Sequence, residues 1–135
     1  MRNNEVVSYT FSDLMIQHSA TDIKEIVAEA IHDKKGSGIR VIDLSGIETA
    51  PAHTFIICQA RNPIQVAAVA DSVVDSVLEN AGRKPVSTSG YRNREWVIVD
   101  YGDIIVHVFM PETRERYALE ELYSDAPFTD IPDEE

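Results

Sequence analysis

Two periods of apolar spacing run through the chain. Ile23, Ile26, Val27, Ala30 and Ile31 recur at the interval of one helical face. The spacing predicts a first helix, with Asp22 as its cap and Glu25 as the capping-box partner. Lys34 and Lys35 suit the negative end of its dipole, and Gly36 or Gly38 can stop it. Arg40 to Leu44 and Thr54 to Cys58 then read as two short buried strands, joined by a loop containing Pro51. Asn62 and Pro63 make a good N-cap and first turn for a second helix. Its stripe is Val66, Val69, Ala70, Val73, Val77 and Leu78, and Gly82 is its stop.

Downstream the period shortens. Pro85 to Ser87 reads as a short edge strand, and Glu95 to Asp100 with Ile104 to Phe109 as a hairpin turning through Asp100-Tyr101-Gly102-Asp103. Pro111 opens a last helix carrying Tyr117, Leu119 and Leu122. The order predicts an α/β or α+β fold, a sheet packed with helices, and leaves the strand order open.

Charge changes the picture at one end. The 135 residues carry 23 acids against 12 Lys and Arg, a formal charge of −11. Ser124 to Glu135 holds five of the acids and no base. With Pro127 and Pro132 it reads as a flexible acidic tail. The rest is still acidic, which argues against binding through nucleic-acid phosphates and suits a basic protein partner, or simply solubility. The length fits one domain. A single cysteine, Cys58, allows no internal disulfide and no multi-cysteine zinc site. Without an apolar run of membrane length or a basic-then-apolar start, the expectation is a soluble cytoplasmic protein.

Catalytic chemistry is not visible. Asp100, Asp103 and His107 lie close in sequence and raise the question of a divalent metal. The two aspartates flank a turn, where Asp is favoured for local hydrogen bonds, and His107 sits mid-strand roughly 13 Å further along an extended chain. Cys58 reads as a buried hydrophobe, and His18, His32, His53 and His107 lack metal-ligand spacing. Gly36-Ser37-Gly38 is too short for a phosphate loop. Expected cofactors and metals are therefore none. Trp96 shares a sheet face with Ile98 and Asp100, and taken alone it reads as core.

The stretch from Glu95 through Trp96-Val-Ile-Val-Asp100-Tyr-Gly-Asp103 to His107-Val-Phe109 resembles the signature of the ribosomal silencing factor family, RsfS or Iojap. Val41-Ile-Asp-Leu44 and Phe55-Ile-Ile-Cys58 resemble the family's first two strands. Gln65-Val66 with Ala70-Asp71 resembles its central helix, and Arg114, Tyr117, Leu119-Glu120 and Leu122-Tyr123 its closing helix. The match covers residues 20–123, leaving 1–19 as an extension and 124–135 as the tail. His53, and Ala60-Arg61-Asn62-Pro63-Ile64 after the second strand, depart from the usual family pattern.

The resemblance implies a single α/β domain with a mixed sheet and nucleotidyltransferase-like topology, without transferase chemistry. It implies a translational repressor that binds the large ribosomal subunit through its ribosomal protein fourteen and sterically blocks small-subunit joining. Neither direct nucleic-acid binding nor a membrane is expected, and a homodimer is left open. The implied partner-binding residues are Trp96, Ile98, Asp100, Tyr101, Asp103, His107, Asp71 and Tyr117. The alternative is a nucleotidyltransferase-like enzyme using Asp100 and Asp103 with a divalent metal. Against it, Ser89-Gly90 stands in reversed order and the two aspartates are not an Asp-x-Asp pair. A nucleic-acid mimic would need regularly spaced surface acids, and none are seen.

Overall fold

The computed structural model describes residues 23–134. Asp22, His18 and the 1–19 extension lie outside the described residues. Helix α1 runs over residues 23–33, followed by β1 (Ser37–Asp43), β2 (Thr54–Gln59) and α2 (Pro63–Ala81). Then come β3 (Ser87–Ser89), β4 (Trp96–Asp100), β5 (Ile104–Phe109), α3 (Pro111–Tyr117), α4 (Leu119–Leu122) and β6 (Phe128–Ile131). The result is an α/β domain with one mixed six-stranded sheet, ordered β3-β4-β5-β2-β1-β6. Only the central β2–β5 pair is parallel.

Local chemistry explains the punctuation. The Asn62 side chain accepts from the Gln65 backbone N–H at 2.8 Å, Pro63 fills the first turn, and Gly82 closes α2 in the left-handed region. At the end of α1 the left-handed position is taken by Lys35, with φ +66°, rather than by the expected Gly36 or Gly38. The expected last helix is two short ones, because Ala118 turns left-handed at φ +47°. The short edge strand lies two residues later than the Pro85–Ser87 expectation.

Helices α1 and α2 cover one face of the sheet. Val27, Ile31, Val66, Val69, Val73 and Val77 pack there on Ile39, Ile56, Val97, Val99, Val106 and Val108. The other face carries Ile42, Phe55, Ile57, Ile105 and Phe109, roofed in part by Leu119, Tyr123 and Ala126. Strands β2 and β5 are therefore buried on both faces, whereas β4 alternates.

The tail corrects an expectation. Phe128–Ile131, read from sequence as part of a flexible segment, pair antiparallel with β1. Arg40 binds Asp130 with both ends of its fork, at 2.7 and 3.0 Å, and lies 3.9 Å over the Phe128 ring. The Gly38 N–H donates to Asp133 at 2.9 Å, and Ile131 packs on the helix-side core. Composition concealed this because the strand's partners are one arginine and a sheet edge, not an apolar face of its own.

Candidate functional site

On the face away from α1 and α2, alternation along β4 and β5 brings Trp96, Ile98, His107 and Phe109 together. Trp96 stands opposite Phe109, and Ile98 opposite His107. The indole stacks on Phe109, with centroids 4.9 Å apart and planes at 24°, and meets Tyr117 at 5.0 Å. His107 sits edge-on to Phe55 at 4.5 Å, and Phe55 meets Tyr123 at 5.4 Å. The result is one aromatic cluster with a half-buried Trp96 near its margin. It opens to solvent at Tyr117, 53% exposed, and α4 adds Leu122, 70% exposed.

One backbone feature and one side chain aim this cluster. Gly90, at φ +90°, lies against the Trp96 carbonyl, where an added Cβ would come within 1.9 Å of the oxygen. Only glycine fits that approach. On the other side Arg114 ties α3 down: it donates to Glu120 at 2.7 and 3.2 Å, to the Gly38 carbonyl at 2.8 Å and to Gln59 at 3.0 Å. Tyr117 is carried on that tethered helix.

His107 is 5% exposed, so it offers no surface to a partner. Its Nδ1 accepts the Trp96 indole N–H at 3.1 Å. Burial pulls its pKa down to about 4, against a smaller opposing pull from Asp100.

Asp100 lies on the same face as Trp96 and Ile98 but at the turn end of β4, where it accepts from the Gly102 N–H at 2.7 Å and closes the hairpin. The remaining residues implied by the resemblance lie elsewhere. Asp103 accepts from both ends of the Arg83 fork, at 2.6 and 3.3 Å, which holds its carboxyl below the usual range. Tyr101 is 3% exposed and packs on the helix side. Asp71 is exposed on α2, in the opposite layer from Trp96. Trp96, Ile98 and Tyr117 are thus brought together at the surface with His107 beneath, and the aspartates are not. Sequence reasoning passed over Phe55, Phe109, Tyr123 and Gly90. Period-two spacing from Trp96 and His107 does place Phe109 on their face.

Nothing in this geometry assembles a reaction centre. Asp100 and Asp103 are engaged in the turn and with Arg83, and among the described residues no group of three His, Cys, Asp or Glu could hold a metal ion. Burial pushes the Cys58 thiol up to about 12, leaving it protonated and unreactive. No helix among the described residues is long and apolar enough to cross a membrane.

The sequence model described as "Ribosomal silencing factor during starvation" matches residues 17–135. The chain belongs to this family. The ribosomal silencing factor of Bacillus subtilis is 38% identical over 109 residues, which cover 81% of this chain and 91% of the relative. A crystal structure of a Chromobacterium violaceum protein superposes with a TM-score of 0.71 at 36% identity, covering 76% of this chain and 84% of that one. One from Bacillus halodurans gives 0.70 at 29%, covering 82% and 98%. The family match takes in the tail as well as the Trp96 cluster, and both faces of the sheet lie within it.

Proposed function

We propose that the chain represses translation by seating its Trp96 face on the large ribosomal subunit, through ribosomal protein fourteen, so that the small subunit is sterically excluded. The observation that carries this is the open aromatic surface formed by Trp96 and Tyr117 on the side of the sheet left uncovered by α1 and α2. Large aromatics at the margin of a packed cluster are the residues that anchor protein interfaces. The chain as a whole carries a formal charge of −11, which suits a basic ribosomal partner. Family membership supports the ribosome as the target.

The reading is that of a binding protein and not an enzyme. Its sheet has a nucleotidyltransferase-like topology on this reading, while Asp100 is engaged in a turn and Asp103 with Arg83. Acting where subunits join would place it in the cytoplasm.

The direct test is sedimentation of the purified protein with separated subunits. The expected outcome is co-sedimentation with large subunits alone, and fewer 70S particles when small subunits are added. Pelleting with small subunits, or with neither, would overturn the reading.

A further inference from the structure

We propose that His107 is a positioning residue for Trp96, holding the indole N–H inside the protein so that the ring meets its partner as a purely apolar surface. This rests on the docking role given to the Trp96 face above. Tryptophan has one polar hydrogen, on Nε1, and His107 Nδ1 takes it at 3.1 Å. With that bond made, docking strips water from no unpaired donor.

The choice of residue at position 107 is the stronger argument. His107 sits among Phe55 and Phe109, with a parallel stack on the latter at 12°. A third phenylalanine in that slot would carry no polar atoms into the core. Histidine does so at a cost, because its Nε2 is buried with no hydrogen-bond partner among the described residues. Since Nδ1 accepts, the proton must sit on that orphaned Nε2, in the neutral tautomer. The polar contact that His107 does make is with the Trp96 indole. What histidine supplies here is therefore direction.

Direction is what the rest of the cluster lacks. Stacking on Phe109 and Tyr117 tolerates sliding and tilting of the indole, whereas a hydrogen bond to a fixed acceptor sets its rotation. The acceptor is itself well fixed. His107 lies in mid-β5, paired with Ile98 of β4 on one side and Ile57 of β2 on the other.

Trp96 is the chain's single tryptophan, so one indole N–H resonance reports on this bond alone. In the wild type that proton should exchange slowly with solvent. His107→Phe should keep the fold, release the indole proton to fast exchange and weaken large-subunit binding about tenfold, the loss of roughly 1.4 kcal/mol. His107→Asn, whose Oδ1 falls near the place of Nδ1, should restore much of both. Should His107→Phe not fold, His107→Leu makes the same comparison. The proposal is overturned if the wild-type indole proton exchanges freely, or if a folded variant without an acceptor binds large subunits as the wild type does. Trp96→Ala separates the two ideas. If it binds normally, the docking surface is wrong. If it loses binding while His107→Phe does not, only the positioning role fails.

Discussion

The two faces of the sheet are made by the same strands and differ in almost every other respect. The helix face is aliphatic, Val, Ile and Ala closed under two helices. The opposite face buries Ile42, Leu44, Ile57 and Ile105, but toward β4 it turns aromatic, with Phe55, Phe109, Trp96, Tyr117 and Tyr123 around a histidine, roofed only by two short helices and a loop. Aliphatic side chains interdigitate densely and complete a closed core under α1 and α2, with a smaller one on the other face. Large flat rings with one polar handle leave a surface that is ordered yet incompletely buried, which suits docking. One set of alternating strands can thus carry a fully closed core on one face and, at the margin of the other, a surface left open for recognition.

The largest expected effect breaks the helix face. Ile56→Ala, at a fully buried position, should destabilise by about 2–5 kcal/mol, while Ile98→Ala across the sheet should cost about 1 kcal/mol. Chemical denaturation of the two variants checks this, and equal losses would erase the distinction between closed core and open margin. The fraction of Ile56→Ala that remains folded should still bind large subunits.

Acid should act from the other face, through His107. Its pKa falls from 6.5 in the unfolded chain to about 4 in the fold, so the unfolded state takes up the proton first. Its contribution is complete above pH 6.5 and is lost progressively as pH falls toward 4. Between pH 6.5 and 5 the loss should be about 1–2 kcal/mol, the slope approaching 1.36 kcal/mol for each unit once the unfolded chain is mostly protonated. His107→Phe should remove that slope from urea midpoints measured across this range.

A smaller effect is expected from the tail. Deleting residues 125–135 removes β6, the Arg40–Asp130 pair and the Ile131 contact, which should lower Tm by roughly 4–8 °C, about 1–2 kcal/mol. A disordered tail would leave Tm unchanged. The difference should shrink in high salt, because part of that hold is an exposed ion pair.

How much of this was legible in the sequence follows the same division. The helix face could be read, because Val66, Val69, Val73 and Val77 keep the helical period and Asn62, Pro63 and Gly82 mark its ends. The hairpin could be read from Gly102. The ladder order could not, since β2 and β5 are apolar on both faces and carry no alternation to orient them. Strand β6 was hidden because its hold is a distant arginine, and α3 breaks at Ala118, a residue with no sequence mark for a left-handed turn. The resemblance supplied Trp96, His107 and Tyr117 only among eight residues, together with Ile98, Asp71, Asp100, Tyr101 and Asp103. That His107 lies beneath and not on the surface required coordinates, since β5 is buried along its whole length.

On this account the open aromatic margin recognises, while the closed core on both faces of the sheet holds the fold. Trp96→Ala tests it most directly, with melting and large-subunit co-sedimentation measured on the same preparation. Because Trp96 is half-buried at the margin of its cluster, stability should fall by only about 1 kcal/mol. Affinity for large subunits should fall about thirtyfold, corresponding to roughly 2 kcal/mol at an interface hot spot. A variant that melts near the wild type and no longer pellets with large subunits is the expected result. One that stays folded and pellets normally, or that unfolds outright, would contradict the account.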